Sequence, residues 1–422
     1  YDDNIDRRIL IINSRRSGKT ELLGRLIVKN LISVPDAHVV YINRNSSAAI
    51  RQIRGPLNSA LAKSNLRVIK GSVDAQEMHF SNGSQLLIIG NNNLSDVSKL
   101  RGERISLCLL DECGHQRNTR ELVREVISPA LMDYANSQLI MVGTPPRVPH
   151  TYVEECYNNV GWKKFSWTFQ SNPFIPNKEQ VIKDVCEENG VTEDSAFIQR
   201  EYFGRMDAYD DEARVWKKYS TVVQPRFEDE YKHIWDYAYI GVDWGFEDKA
   251  AVVSCLVDSK AKRMFVIDNW SESKQAITTI CEEIKRQYEQ LKKYPVARQP
   301  WIICDTNEKG AAFELYQTYK LSNVYMAYKY DKDMAIEQLS DWLSADTIQL
   351  VRGKCSSLEE DLQSTLYERD EESGKLLHVI DDDIWHPNSA MALLYVSRQF
   401  AVDALGFKAY TPHTVQESLQ EK

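Results

Sequence analysis

Residues 9–20 read ILIINSRRSGKT, an apolar run that leads into a loop ending in Gly-Lys-Thr. The four apolar residues predict a buried strand, and the pattern of residues 20–31 predicts a helix directly after the loop. Such a loop offers backbone N–H groups to phosphate oxygens. The motif is incomplete because Asn13 stands where the usual pattern has glycine, and a bare Gly-Lys-Thr also fits an ordinary helix start.

Short apolar runs recur along the first half of the chain, separated by helical and charged stretches. They cover residues 39–42, 86–89, 107–110 and 138–142. Continuous apolar strands that alternate with helices are typical of a parallel sheet covered on both faces. The first half is therefore predicted to be an α/β domain built on a parallel sheet.

The second half has its own series of apolar strands. They cover residues 238–243, 250–256, 264–267 and 301–305. Three adjacent strands followed by alternating helix and strand predict a mixed α/β domain. The predicted organisation is a first domain at 1–210 with a helical C-terminal subregion, a linker at 211–235, a second domain at 236–407 and a polar tail at 408–422.

Composition excludes several classes of protein. The chain has 422 residues, 43% hydrophobic and 27% charged, and contains no apolar stretch long enough to span a bilayer. Its eight cysteines form no Cys-x-x-Cys pair, which argues against a zinc site or a disulfide framework. The net charge of −9 argues against a passive nucleic-acid coat but not against a DNA enzyme. We expect a trimmed chain without a secretory leader, located in the cytoplasm.

A pair of acids follows the apolar run 107–110. Asp111 at the end of a buried strand is placed to hold Mg²⁺, and Glu112 to polarise an attacking water as a general base. In the loop, Lys19 would contact the β- and γ-phosphates of ATP, and Thr20 would offer its hydroxyl to the same Mg²⁺. The acids alone also fit two solvated strand caps, but the two motifs in this order favour an ATPase.

Another strand, 138–142, leads to Gly143 and then to Thr144 before two prolines. In a sheet-based ATPase this edge adjoins the phosphates, so Thr144 would sense the γ-phosphate, although the segment also fits an ordinary turn. The predicted nucleotide-binding residues are Ser14, Arg15, Arg16, Ser17, Gly18, Lys19, Thr20, Asp111 and Thr144.

Two further acids interrupt apolar strands in the second half. Asp243 lies in IGVDWG, residues 240–245, and Asp305 follows the apolar run 301–304. A buried carboxylate needs a cation or dense hydrogen bonding. Two such acids on one sheet are suited to hold two divalent metal ions, Mg²⁺ or Mn²⁺, for phosphodiester cleavage. Each acid alone fits a strand-end cap equally well.

At this point the chain resembles the phage terminase large subunit over nearly its whole length. The resemblance is carried by FSNGS at 80–84, LRG at 100–102, LDE at 110–112, GTP at 143–145 and QREYFG at 199–204. It implies a P-loop NTPase domain of the ASCE type followed by a ribonuclease-H-like nuclease domain.

The resemblance also implies roles for particular residues. Arg15, four residues before Lys19, matches an arginine finger that acts in cis. Asp243 and Asp305 match the first two nuclease metal ligands. The third ligand is expected in HPNSAMAL at 386–393, where Asn388 stands in place of the usual aspartate. The family's adenine-binding segment upstream of the first strand is almost absent.

Three explanations for Asn388 remain open: an engineered inactivating change, a natural variant, or a ligand supplied instead by an acid of the triplet Asp381, Asp382 and Asp383. An amide oxygen can coordinate a metal but brings no charge, so affinity for the second ion should fall. The triplet also fits a solvated loop.

The predicted function is therefore ATP-driven translocation of double-stranded DNA into a procapsid, with metal-dependent cutting of concatemeric DNA. The resemblance implies a homo-oligomeric ring on the portal protein, a small terminase subunit that selects DNA, no membrane, and action in the host cytoplasm. Two alternatives remain: a helicase-nuclease of DNA repair, and a motor whose second domain is a non-cutting DNA-binding or docking module because of Asn388.

Overall fold

The computed structural model describes residues 6–72, 74–91, 97, 100–116, 118–224, 234–245, 249–327, 329, 331–369, 376–382 and 384–407. Its contacts divide the chain into two compact units, Tyr1–Asp211 and Glu212–Lys422. The predicted tail 408–422 and Asp383 lie outside the described residues. In the described part, no helix is both long and apolar enough to cross a membrane.

The first unit is an α/β fold on one eight-stranded sheet. Its strands are β1 (Arg8–Ile12), β2 (His38–Asn43), β3 (Val68–Lys70), β4 (Glu77–Phe80), β5 (Gln85–Gly90), β6 (Leu107–Leu110), β7 (Gln138–Gly143) and β8 (Lys163–Phe165). Its helices are α1 (Lys19–Ser33), α2 (Ser46–Leu61), α3 (119–130, π-helical over Leu122–Ile127), α4 (Tyr152–Asn158), α5 (Lys178–Asn189) and α6 (Ala196–Glu201).

The strand order in this sheet is β3-β4-β5-β2-β6-β7-β1-β8. All pairs from β5 to β8 are parallel, and β7 lies between β1 and β6. The five predicted strands and their parallel arrangement are confirmed. The sequence did not predict the antiparallel edge strands β3 and β4 or the short strand β8.

Burial on both faces explains the continuous apolar runs. In β1, Leu10 and Ile12 pack into one hydrophobic cluster and Ile11 into the cluster on the other face. In β6 all four residues are buried, and they divide between the same two clusters. A strand covered on both sides has no position for a polar side chain, so polar residues appear only where the strand ends.

The second unit is a mixed α/β fold on a seven-stranded sheet. Its strands are β9 (Ser220–Val222), β10 (Tyr237–Asp243), β11 (Lys249–Asp258), β12 (Arg263–Ser273), β13 (Trp301–Cys304), β14 (Val324–Met326) and β15 (Ile348–Val351), and a separate ribbon pairs β16 (Tyr367–Arg369) with β17 (Leu376–Ile380). Its helices are α7 (Ile277–Leu291), α8 (Lys309–Gln317), α9 (Lys332–Ser344), α10 (Ser356–Ser364) and α11 (Asn388–Leu405).

The strand order here is β14-β13-β10-β11-β12-β15-β9. The meander β10-β11-β12 is antiparallel, and the remaining pairs are parallel. The four predicted strands are all present. The segment 211–235, predicted as a linker, instead contributes β9 to the edge of this sheet, next to β15. Three residues are too few to produce a detectable apolar pattern.

Helix α11 lies directly on the sheet because of one glycine. A Cβ added to Gly241 in β10 would sit 2.1 Å from the carbonyl oxygen of Ala392 in α11. Only glycine allows that separation. Asp243 points to the same face as Gly241, since side chains two residues apart in a strand share a face. The glycine therefore sets how close α11 comes to Asp243.

We expect Gly241→Ala to lower the stability of the second unit by about 3 kcal/mol, because its methyl group would overlap backbone rather than a movable side chain. Gly310→Ala is a matched control, since a Cβ there meets no atom within 4 Å. Calorimetric unfolding measures both. A Gly241→Ala protein as stable as the control would contradict the packing of α11 on β10.

Candidate active sites

The loop between β1 and α1 has the backbone geometry of an anion-binding turn. Gly18, which caps α1, has φ of 88°, a left-handed conformation that favours glycine. The ammonium of Lys19 is buried and donates to the carbonyl oxygen of Ser14, 3.2 Å away. Lys19 therefore lies across the loop that its own helix begins.

The segment that follows β8 holds this loop in place. The backbone N–H of Trp167 donates to Asn13 Oδ1 at 2.9 Å, and its indole N–H donates to the carbonyl of Ser17 at 2.9 Å. Phe169 N–H donates to Ser14 Oγ at 2.7 Å. Asn13 is therefore a structural replacement for the usual glycine: its side chain fixes the start of the loop.

The loop also has an unused polar atom. The hydroxyl of Ser17 is buried, and within the described part of the chain it has no hydrogen-bond partner. A buried polar group without a partner is costly. A phosphate oxygen in the loop would satisfy it, so the residues present fit a bound nucleotide.

Asp111 follows β6 and is surrounded by donors. The Tyr41 hydroxyl donates to Asp111 Oδ2 at 2.6 Å, Asn43 Nδ2 donates to the same oxygen at 3.4 Å, and the Glu112 N–H donates to Oδ1 at 3.0 Å. Burial raises the pKa of Asp111, and these hydrogen bonds oppose that shift. The carboxyl is thus held in one orientation beside the loop residue Lys19, whose charge also lowers its pKa.

Glu112 has a left-handed backbone, with φ of 52°. Burial and the neighbouring Asp111 charge raise its pKa above the ordinary value. A carboxyl with a raised pKa is a better proton acceptor for water than an exposed one. This geometry suits a general base.

Thr144 is buried just after β7 and contacts His115. The two side chains approach to 3.0 Å between Thr144 Oγ1 and His115 Nε2. Burial lowers the pKa of His115. Gly114 permits this approach, because a Cβ there would lie 2.4 Å from the Thr144 carbonyl oxygen. Thr144 is therefore connected, through the turn containing His115, to Glu112.

Arg15 is held by a buried acid of α6. Its Nε donates to Glu201 Oε2 at 2.8 Å, and Arg200 Nε donates to Glu201 Oε1 at 3.0 Å. Burial alone would raise the pKa of Glu201, but the charges of His115, Arg200 and Arg15 lower it by more. Glu201 therefore joins the loop residue Arg15 to the end of the first unit.

The second unit brings Asp243 and Asp305 together. Strands β10 and β13 are parallel with Val242 opposite Cys304, so the two acids follow at the same edge of the sheet. Both are buried. Burial, and then the charge and hydrogen bond of Asp305, raise the pKa of Asp243 far above its ordinary value. Two adjacent buried carboxylates are a favourable place for a divalent cation, since its charge removes their repulsion.

These acids line a cavity of about 440 Å³. Its walls are formed by Asp243, Trp244, Gly245, Asp305, Asn307, Lys329, Lys332, His386, Asn388, Met391, Leu394, Tyr395 and Arg398. The Tyr395 hydroxyl donates to Asp243 Oδ1 at 3.3 Å. The cavity is therefore strongly charged, with both acidic and basic side chains in its lining.

Asn388 is the first residue of α11 and is buried beside Asp243. With its amide nitrogen turned inward, it donates to Asp243 Oδ2 at 3.2 Å and to His386 Nδ1 at 2.9 Å. The amide is thus next to the first acid, where a third metal ligand would lie. Among the described residues, no group of three or more His, Cys, Asp and Glu residues is arranged to hold a metal ion.

Of the three acids predicted as alternatives to Asn388, Asp381 and Asp382 are described, and Asp383 lies outside the described residues. Asp381 and Asp382 are not among the residues that line the cavity. The carboxyl of Asp361 instead accepts from the backbone N–H groups of Ser389 and Ala390, at 2.7 and 3.1 Å. It caps α11 and so fixes the first turn of the helix that carries Asn388.

The first unit matches a known protein family. Residues 10–217 match the family model described as "Terminase large subunit, T4likevirus-type, N-terminal". This part of the chain belongs to the terminase large-subunit family. A comparison with curated proteins found no match.

Several solved structures are similar to this chain. The large terminase of bacteriophage HK97 is 12% identical, with a TM-score of 0.51 over 92% of this chain and 90% of that chain. The large terminase of the thermophilic bacteriophage D6E is 14% identical, with a TM-score of 0.41 over 94% of each chain. The nuclease domain of the bacteriophage SPP1 large terminase, solved with bound Mn, is 18% identical, with a TM-score of 0.32 over 40% of this chain and 90% of that chain. Together with the two observed sheets, the likeness to the HK97 structure confirms the predicted fold class, a parallel-sheet α/β domain followed by a mixed α/β domain.

Several residues that contact the predicted site residues have no clear signal in the sequence. Tyr41, His115 and Glu201 contact predicted residues from distant parts of the chain. The ammonium of Lys329 likewise contacts Asp305. The one available signal was the position of Glu201 inside the QREYFG motif, which carried no chemical role by itself.

Glu201→Gln should destabilise the first unit by about 2 kcal/mol at pH 7, because it leaves Arg200 in a buried site without its charge partner. Since the pKa of Glu201 is lowered by folding, its contribution is complete above the ordinary glutamate pKa of about 4.3 and is lost as pH falls below it. Urea unfolding at pH 7 and at lower pH measures this. The exposed Glu187→Gln is the control, and a gap between Glu201→Gln and wild type that widens toward acid would contradict the assignment.

Proposed function

We propose that this chain is an ATP-driven DNA-packaging motor whose second unit cuts DNA with the help of divalent metal ions. One observation supports this proposal above the others. A phosphate loop with Asp111 and Glu112, and a buried pair formed by Asp243 and Asp305, occur in one member of the terminase large-subunit family.

In the ATPase site each residue would act on a different part of the substrate. The loop amides and Lys19 would hold the β- and γ-phosphates, while Thr20 and Asp111 would hold Mg²⁺. The bound Mg²⁺ would neutralise charge on the phosphate oxygens. Glu112 would orient and deprotonate the attacking water. Ser14, Arg16, Ser17 and Gly18 complete the proposed nucleotide-binding loop.

Thr144 is proposed to sense the γ-phosphate, and Arg15 to act on it as a finger in cis. Thr144 is hydrogen-bonded to His115, three residues after Glu112, and Arg15 is paired with Glu201. A change at the phosphate would therefore reach α6 through Arg15 and Glu201. This contact offers a route from hydrolysis to the end of the first unit.

In the nuclease site Asp243 and Asp305 would hold Mg²⁺ or Mn²⁺, with the Asn388 amide as a neutral neighbour. The metal would activate water and stabilise the departing oxygen of a phosphodiester. Tyr395 and Asn388 would orient the Asp243 carboxyl through their hydrogen bonds. The proposed substrate is concatemeric double-stranded DNA.

The proposed partners follow from the family. They are double-stranded DNA, the portal protein of a procapsid, a small terminase subunit and further copies of this chain in a ring on the portal. The proposed location is the cytoplasm of the infected host cell, with transient attachment to the procapsid.

Lys19→Ala should reduce DNA-stimulated ATP hydrolysis roughly 100-fold or more, because it removes a preorganised charge from the phosphates. Phosphate release measured with and without DNA tests this. Lys29→Ala removes an exposed lysine of the same helix and should leave the rate unchanged. Full activity in the Lys19→Ala protein would refute the motor assignment.

Asp243→Asn should abolish cleavage of supercoiled plasmid in both Mg²⁺ and Mn²⁺, whereas the exposed Asp341→Asn should not.

Asn388→Asp should increase cleavage, because it adds a charged ligand next to Asp243. One result favours the second candidate function: if wild type and Asn388→Asp both fail to cut, the second unit is a non-cutting DNA-binding or docking module.

A further inference from the structure

Charges in the nuclease cavity are unusual for a site that holds two dications. Its walls carry two carboxylates, Asp243 and Asp305, and three cationic side chains, Lys329, Lys332 and Arg398. The third ligand position is filled by the neutral Asn388. A site for two divalent ions normally needs more negative charge than two acids supply, since each ion brings two positive charges.

Lys329 is in contact with one of the two acids. Its ammonium forms an ion pair with Asp305 Oδ1 and lies 3.4 Å from Asn307 Oδ1. It also lies over the ring of Tyr395, 6.0 Å from the centroid. The partners of this lysine are therefore two oxygens and an aromatic face, the surroundings of a bound cation. A lysine ammonium is a compact point charge that also binds phosphate.

We propose that this site holds a single divalent ion, bound chiefly by Asp243, and that Lys329 supplies at Asp305 the positive charge that a second ion would otherwise bring. The inference rests on the proposed nuclease function and specifies its metal content. Lys329 is then a binding residue for the phosphodiester, opposite the single metal ion.

The charge balance supports this arrangement. With Lys329 in place, the nearby charges are two negative and one positive, and a second dication would be repelled by the ammonium at short range. Without Lys329 and with aspartate at 388, the same site would hold three carboxylates and lack the ammonium that pairs with Asp305. Asn388 in place of aspartate and the ammonium of Lys329 therefore each make the net charge of the site one unit less negative. Both disfavour a second ion.

The test counts Mn²⁺ ions bound to the full chain without nucleotide, by the loss of the free-ion signal in electron paramagnetic resonance. Ions at this site are those that Asp243→Asn abolishes. We expect one such ion in wild type and two in the double variant Asn388→Asp with Lys329→Met. Lys329→Met alone should bind its ion about tenfold more tightly than wild type.

Lys332→Met is the matched control, because it removes the same charge from the same cavity without a contact to Asp305. Two Mn²⁺ ions in wild type, or equal affinities in Lys329→Met and Lys332→Met, would overturn the inference while leaving the nuclease proposal intact. If Asp243→Asn abolishes no bound ion in any of these proteins, both the metal site and the proposed nuclease function fail. The number of Mn²⁺ ions bound by wild type tests the single-ion proposal even if Lys329→Met does not fold.

Discussion

Parallel strand pairing is the constraint on which both sites depend. Because parallel strands end at the same edge of a sheet, residues that directly follow β1, β6 and β7 lie together. Asp243, the last residue of β10, and Asp305, directly after the paired β13, lie together for the same reason. The buried stretches of these strands are almost entirely apolar. Their ends are the first positions where chemistry is possible, so the polar residues of both sites gather there.

Polar groups at such edges are partly buried, and hydrogen bonds have to offset the free-energy cost of removing them from water. Asp111 is compensated by Tyr41, Asn43 and a backbone N–H, and Asp361 by the first backbone N–H groups of α11. Compensation also fixes orientation, because an acid with several donors has one preferred rotamer. Asp243 has fewer donors, Tyr395 and Asn388, and the second buried carboxylate, Asp305, adds to the rise in its pKa that burial causes. Asp111 is therefore held in one orientation by protein donors, whereas Asp243 depends more on a bound cation to offset its burial.

Sequence patterns predicted the strands and the acids that follow them, because each of these signals is local. Asp111, Asp243 and Asp305 stand next to their own apolar runs. Their partners are not local: Glu201 is 186 residues from Arg15, and Tyr41 is 70 residues from Asp111. Such pairings depend on strand order and helix placement. The same holds for β9, whose three residues form a strand only because β15 offers an edge.

Asn388 is best understood together with the helix that carries it. Gly241 lets α11 approach β10 closely, and Asp361 fixes the first turn of α11, so position 388 is held beside Asp243 whatever its side chain. A carboxylate there would be a third acid in a buried pair that already repels itself. An amide avoids that repulsion and adds a hydrogen bond to Asp243. The Lys329 ammonium beside Asp305 further reduces the repulsion between Asp243 and Asp305, so the two carboxylates can be buried without a metal ion. The same charge lowers the affinity of the site for divalent cations.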